Sequence, residues 1–251
     1  MSLLPRLHGR LRNVIVDTFG MEPDRESCGL LLEPWESEGL EFWPCRNVFP
    51  GGQDRFQIDP ADWVAAEERG QVLGIVHSHP NASANPSMAD RVGCERSGVP
   101  WVVVGLPSGV MKEVLPTGWQ APYTGREFSH GVLDCYSLIQ DWYFREPDLA
   151  IELPDFERED DWWKRGDDLY MKHMAEAGFY LVQGEMQRHD VVLMRIRSQQ
   201  ANHGAIYQGN GVLLHHLVGR LSCTDVWGGF WERNTVGVAR HWTRIPGATK
   251  P

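Results

Sequence analysis

The stretch IVHSHPNASANPSMAD, residues 75–90, decides how the first half of this chain folds. It begins as the apolar end of a strand and finishes at the start of a predicted helix, MADRVGCERS. Side chains alternate along a strand, so His77 and His79 point to the same side. Asp90, eleven residues after His79, adds a carboxylate. Two nitrogens and one oxygen leave a fourth tetrahedral position for water, which is the arrangement of a catalytic zinc site.

The spacing of this stretch (His-x-His, seven residues, Ser, two residues, Asp) resembles the JAMM motif of zinc isopeptidases. The segment RESCGLLL, residues 25–32, extends the resemblance, since such enzymes carry a glutamate just before an apolar strand. The resemblance implies that Zn²⁺ is the cofactor, with His77, His79 and Asp90 as ligands. It also implies that Glu26 is the general base and that Ser87 donates to the developing oxyanion. Ser87 equally fits the N-cap of the next helix, a role compatible with catalysis.

A second group of reactive side chains lies in the other half of the chain. Cys135 follows Asp134 at the start of a predicted helix, where the helix macrodipole favours a thiolate and lowers the cysteine pKa. His203 and His215 lie on strands joined by Gly-Asn-Gly, a strong hairpin signal that brings the strands together. A thiolate, a histidine base and a group that orients the base form the triad of a cysteine hydrolase. His216 is the alternative to His215, because the two point to opposite faces of a strand.

This half resembles the NlpC-type cysteine peptidases, which carry a helix-borne Cys after Asp, then a His leading a strand, then a polar residue about twelve positions on. The interval from His203 to His215 is twelve. More narrowly, HGVLDCYSLIQDWY, EDDWWKRGDDLY and LLHHLVGRLSC look like segments of the tail assembly proteins of lambda-type phages, over residues 126–242. The JAMM-like half completes the same two-domain layout. Arg188-His189 stand where a Pro-Gly turn is usual, which is expected to alter the turn and leave catalysis unchanged.

These features predict an α+β protein of two domains. Residues 1–118 are expected to form a JAMM-like α/β sheet domain with flanking helices, and residues 126–251 a papain-like NlpC α+β domain. Residues 119–125 are the predicted linker, within an aperiodic stretch that contains Pro and Gly. Apolar spacing predicts helices over 3–20 and 169–177. The acidic, aromatic segment 141–163 fits either a substrate-groove wall or a loop packed on the core, and packing is the favoured interpretation.

Composition restricts the classes of partner. The net charge is −10, from 34 acidic and 24 basic residues, which argues against nucleic acid as the main partner. No apolar run approaches the ~20 residues that a membrane helix requires. Five cysteines without a CxxC pair support neither a disulfide framework nor a thiolate zinc site.

The sequence therefore predicts a hydrolase with two sites. The zinc half is expected to cut a peptide or isopeptide bond, and the cysteine half a peptide crosslink of peptidoglycan. The resemblance implies other phage tail or tail-tip proteins as partners, with the protein in the host cytoplasm during tail assembly or at the tail tip of the virion. The alternative is a non-catalytic assembly factor that binds tail proteins through both domains. Intact catalytic residues in both halves favour the enzyme.

Overall fold

Two sheets organise the computed structural model, which describes residues 2–50 and 53–250. Within these residues, a five-stranded sheet lies in the unit Met1–Gln120 and a six-stranded sheet in the unit Ala121–Pro251. Helices flank the first sheet, and in the second unit a helix precedes an antiparallel sheet. This confirms the predicted α+β class with two domains.

The first sheet is mixed. Its strands are β1 (Cys28–Pro34), β2 (Glu41–Cys45), β3 (Gly70–His79), β4 (Trp101–Gly105) and β5 (Val110–Val114), in the order β2-β1-β3-β4-β5. Strands β3 and β4 pair in parallel, and the other neighbours are antiparallel. Because β3 is central, its last residues are buried between neighbours, and the side chains that it presents there are firmly placed.

Three helices accompany this sheet: α1 (Gly9–Phe19), α2 (Pro60–Arg69) and α3 (Met88–Ser97). The predicted helix over 3–20 is wrong in its first turns, because Leu4–Arg6 forms a separate 3-10 turn and α1 begins at Gly9. The φ of Gly9 is +52°, a left-handed conformation that interrupts a right-handed helix. From Gly9 on, the apolar spacing holds, and Ile15 and Phe19 pack into a core with Leu31 and Val76.

The second unit places a helix across an antiparallel sheet. Its helices are α4 (Cys135–Arg145), α5 (Leu169–His173) and α6 (Phe230–Asn234). Its strands are β6 (Phe179–Val182), β7 (Val191–Met194), β8 (His203–Gly209), β9 (Val212–His215), β10 (Cys223–Val226) and β11 (Thr235–His241), in the order β10-β9-β8-β7-β11-β6. Helix α4 packs on β8 and buries Leu138 and Ile139 against Ile206. The predicted helix 169–177 ends early, at His173.

The hairpin of β8 and β9 forms as predicted. Its turn Gly209-Asn210-Gly211 has φ values of +91°, +52° and +71°, which glycine and asparagine tolerate best. The register pairs Ala205 with His215, and a bulge falls between Tyr207 and Gly209. Among the described residues, no helix is long and apolar enough to cross a membrane.

Candidate active sites

The end of β3 and the first turn of α3 bring the three predicted metal ligands together. His77 Nε2 lies 3.3 Å from His79 Nε2 and 3.1 Å from Asp90 Oδ1. His79 Nε2 lies 3.2 Å from Asp90 Oδ2. Ligand atoms held about 2.0–2.1 Å from a tetrahedral zinc ion are about 3.3 Å apart, so these separations fit zinc.

The two histidines are oriented by different means. The Nδ1 of His79 donates to the carbonyl oxygen of Ser83 at 3.0 Å, which turns Nε2 toward the cluster. The Nδ1 of His77 is buried and has no hydrogen-bond partner among the described residues. Its ring is held by packing, stacked on Phe56 with centroids 4.7 Å apart and edge-on to Trp101 at 5.5 Å. Both rings present nitrogens suited to a metal.

Charge at this cluster is also suited to a cation. Burial disfavours ionised Asp90, but hydrogen bonds from His77 and His79 together outweigh burial and hold the Asp90 pKa below its ordinary value. Burial likewise opposes charge on His79, but the carboxylate of Asp90 and the carbonyl of Ser83 together outweigh it, so the His79 pKa is raised. Asp90 is therefore a carboxylate, the form that binds metal.

Glu26 and Ser87 lie beside the cluster. Glu26 is 7% exposed, and burial raises its pKa to about 8, against the partial opposition of His79. Ser87 is the N-cap of α3: its Oγ accepts from the backbone N–H of Asp90 at 3.0 Å, while Asp90 Oδ2 accepts from the Ser87 N–H at 2.7 Å. A hydroxyl that accepts one bond still has a hydrogen to donate, so the cap leaves a catalytic role open.

The second constellation forms around the N-terminus of α4. Asp134 caps this helix and Cys135 is its first residue, as predicted. The Sγ of Cys135 lies 3.2 Å from Tyr170 Oη, and the nearby backbone of Gly204 acts to lower the thiol pKa. His203, the residue before Gly204, lines the same cavity of about 590 Å³. Within the described residues, no hydrogen bond joins Sγ to His203, so the structure places them in one cavity without direct bonding.

The histidines form the pair that the hairpin predicted. His203 Nε2 lies 3.0 Å from His215 Nδ1, and His215 Nε2 lies 3.0 Å from Asp225 Oδ2. His203 is 2% exposed and His215 is fully buried. His216 points elsewhere, toward the cavity and the ring of Phe128 at 5.0 Å. The geometry therefore favours His215 over His216 as the partner of His203.

The pKa of Cys135 moves in the direction opposite to the one expected. Burial raises it and Asp134 adds to the rise, and the bond from Tyr170 only partly compensates. Burial lowers the pKa of His203 well below its ordinary value, with a further contribution from His215. The lowered pKa expected at a helix N-terminus is thus wrong, because that helix end is buried. At neutral pH the thiol and the imidazole are both neutral.

Burial also raises the pKa of three other thiols, to about 12 for Cys28 and Cys45 and about 11 for Cys94. A shifted pKa therefore does not distinguish Cys135 from the remaining cysteines. What distinguishes Cys135 is that it lines the same cavity as His203.

Several residues near Cys135 escaped sequence reasoning. Asp225 lies two residues after Cys223, which faces His215 across β9 and β10. An acidic residue in a short strand after the hairpin was the available signal. Tyr170 gave no signal, because its predicted helix did not show which way the ring faces. Arg158 Nε donates to the buried carboxylate of Asp134 at 2.9 Å, a contact between distant parts of the chain.

The segment 141–163 fits both of its predicted alternatives. Phe156, Trp162 and Trp163 line the cavity beside Cys135. Phe156 also packs against the core of this unit, and Trp162 is 4% exposed. Both alternatives therefore hold for this segment: it is packed, and its packed aromatic rings form a cavity wall.

Comparisons with known proteins agree with the two halves. Residues 9–117 match the family described as prokaryotic homologs of the JAB domain, and residues 122–240 match the NlpC/P60 family. Tail tip assembly protein K of Escherichia phage N15 is 35% identical over 222 residues, 88% of this chain and 89% of that protein. Its counterpart from Escherichia phage lambda is 40% identical over 185 residues, 73% of this chain and 89% of that protein. A solution structure from Desulfitobacterium hafniense matches with TM-score 0.32 and 22% identity, over 41% of this chain and 74% of that one.

Proposed function

This chain belongs to the family of tail tip assembly protein K, and from that premise we propose that it is a peptidase with two sites that acts in the assembly of a phage tail tip. Its partners are other tail proteins, and it works in the host cytoplasm or at the tail tip of the virion. One observation carries the proposal: each half gathers, from separate elements, a set of side chains with complementary catalytic chemistry.

In the first half, His77, His79 and Asp90 would hold Zn²⁺. A bound zinc ion lowers the pKa of its water to roughly 7 and so supplies hydroxide near neutral pH. The carboxyl of Glu26, with a pKa raised to about 8, is suited to accept and return a proton in that range. Ser87 keeps a hydrogen for the oxyanion of the substrate. The proposed reaction is hydrolysis of a peptide or isopeptide bond.

In the second half, His203 is the base and Cys135 the nucleophile. Because the thiol is neutral at rest, His203 Nδ1 takes its proton as the sulfur attacks the peptide carbonyl. The C–N bond then breaks, the amine leaves with the proton from His203, and a thioester remains on Cys135. Water, deprotonated by His203, hydrolyses the thioester and restores the thiol. Tyr170 Oη, 3.2 Å from Sγ, is placed to orient the thiol.

The proposed substrate of this half is a peptide crosslink of peptidoglycan. A cavity of about 590 Å³ is within the usual range for a bound small molecule or short peptide segment. A second candidate function is assembly without turnover, in which both halves only bind tail proteins. It is favoured by the absence, in the described residues, of a hydrogen bond between Cys135 and His203.

Two single substitutions, one in each half of the chain, test the proposal. Cys135→Ala should lower peptidoglycan digestion by the purified chain by roughly a thousandfold or more, because the nucleophile is lost, and leave one zinc per chain. His77→Ala should remove the zinc and leave peptidoglycan digestion within about twofold, because its site lies in a separate unit. Digestion is measured by release of soluble fragments, and zinc by elemental analysis.

Cys45→Ala is the matched control, since that thiol lies outside the cavity. Phage carrying each variant are scored for completed tails in parallel. Normal tails with both variants, together with a wild-type chain that neither binds zinc nor digests the wall, would replace the peptidase proposal with the assembly factor.

A further inference from the structure

A chain of hydrogen bonds continues behind the proposed base of the cysteine half. It runs from His203 Nε2 to His215 Nδ1 and from His215 Nε2 to Asp225 Oδ2, with both separations 3.0 Å. The ring of Trp231 covers the chain, edge-on to His215 with centroids 4.4 Å apart. Because His203 and His215 are buried, water is a poor competitor for the bond between them, and Asp225, whose side chain is 30% exposed, ends the chain at the surface.

Counting hydrogens fixes the direction of these bonds. A carboxylate only accepts, so His215 Nε2 donates to Asp225. A neutral imidazole has one N–H, so His215 Nδ1 must accept, and the donor to it is His203 Nε2. His203 Nδ1 then carries a lone pair. A nitrogen in that state is the one that can take a proton from a thiol.

We infer that Asp225 is a positioning residue of the thiol site, which acts through His215 to hold His203 in the tautomer that has a free Nδ1. The inference rests on the proposed cysteine peptidase function and adds Asp225 to the row formed by Cys135, His203 and His215. Without Asp225, either nitrogen of His215 can carry the hydrogen. When Nδ1 carries it, His203 Nε2 becomes the acceptor and its Nδ1–H can no longer act as a base.

The surroundings of His215 favour this arrangement over an ion pair. A doubly protonated His215 would donate from Nδ1 and impose the unproductive tautomer on His203. Burial lowers the pKa of His215, more than Asp225 raises it, and the nearby charge of Arg220 lowers it further. Arg220 Nη1 lies 3.4 Å from Asp225 Oδ2, so this carboxylate oxygen contacts both the guanidinium and His215.

Cys223 suggests another role for the same atoms, since its Sγ lies 3.9 Å from His215 Nε2 and, with His215 and Asp225, it completes a set of possible metal donors. Arg220 Nη2 lies 2.8 Å from this sulfur, however, so the guanidinium already contacts both Cys223 and Asp225. A metal ion would have to displace that positive charge. The contacts favour the hydrogen-bonded chain.

The tautomers can be read directly by ¹⁵N NMR of histidine-labelled full-length protein at pH 7, without any substrate. The wild type should show hydrogen on Nε2 of both His203 and His215. Asp225→Ala should produce a mixture of tautomers at both residues. It should also slow alkylation of Cys135 by iodoacetamide roughly tenfold, a part of the usual contribution of a general base. Asp225→Glu, which keeps a carboxylate, should recover most of both properties.

Thr224→Ala is the matched control, because it lies on the same strand with an exposed side chain. It should leave tautomers and alkylation unchanged, and an equal slowing there would assign the effect to damage of β10 and overturn the inference. Hydrogen on Nδ1 of wild-type His203, or an Asp225→Ala variant with wild-type tautomers, would also overturn it. Correct tautomers in a wild type that hydrolyses no peptide would count against the proposed function alone.

Discussion

Helices α3 and α4, in different halves of the molecule, both begin with a reciprocal cap, in which the cap residue and the third helical residue each bond the other's backbone N–H. The serine and the aspartate exchange positions between the two caps. In α3 the cap is Ser87 and the third helical residue is Asp90; in α4 the cap is Asp134 and the third residue is Ser137. In α3 the acidic residue of the cap is itself a proposed metal ligand. In α4 the proposed nucleophile, Cys135, lies between the two capping residues and takes no part in the cap.

The difference decides which functions can be separated by mutation. Asp90 Oδ2 accepts from the Ser87 N–H and also lies 3.2 Å from His79 Nε2, so one atom serves the helix start and the site. Asp134 Oδ2 instead accepts from Arg158 and from the backbone of Gly131. In the first half, stability and chemistry share a carboxylate, whereas in the second half the carboxylate serves stability.

The largest effect is expected from Asp134→Ala. The substitution removes the cap and the buried partner of Arg158, which keeps its bonds to Asp155 and to the Phe156 carbonyl. The lost cap and the lost charged hydrogen bond together should cost about 3–5 kcal/mol of unfolding free energy. Urea unfolding of the purified chain measures this loss. Asp134→Asn keeps a capping oxygen and should lose less. A cost below about 1 kcal/mol for Asp134→Ala would show that Arg158 finds water or another acceptor.

Metal removal should come next and act on one half. Zinc at 100 to 1,000 times its Kd would stabilise the first half by about 2.7–4.1 kcal/mol, so a chelator should lower the unfolding temperature of that half alone. Differential scanning calorimetry with and without chelator measures this. His77→Ala should unfold alike in both conditions. A shift of the second transition in that variant would mean that the second half also binds metal.

The smallest expected effect is that of Ser87→Ala. Loss of the cap should cost about 1 kcal/mol, and zinc affinity should fall with it, because the cap helps to place Asp90. Ser137→Ala is the matched change in α4 and should cost a similar amount with zinc affinity unchanged. Titration with a zinc indicator and urea unfolding provide the two measurements. Equal zinc affinity in both variants would show that the cap of α3 does not help to place the zinc ligand Asp90.

The sequence predicted best those parts of the sites whose residues lie close together along the chain or on strands joined by a short turn. His77 and His79 share a strand, and Asp90 follows within one turn of the next helix, so period-two alternation and a known spacing were sufficient. His203 and His215 were predictable because the Gly-Asn-Gly turn sets the pairing of their strands.

The rest depends on tertiary packing. Tyr170 reaches Cys135 from thirty-five residues away, and it fits because position 204 is a glycine. A Cβ on Gly204 would lie 2.7 Å from Tyr170 Oη. The raised pKa of Cys135 has the same origin: local sequence shows a helix end, and only the fold shows that this end is buried.

The hairpin turn that joins β8 to β9 limits which changes of sequence the thiol site can tolerate. The turn and the bulge beside it set the twelve-residue interval between His203 and His215. A β9 displaced by one residue would exchange the faces of His215 and His216, since alternation has a period of two. A substitution within the turn by another residue that tolerates positive φ would keep this register. Its length is fixed more tightly, because a change of one residue would place His216 where His215 now lies.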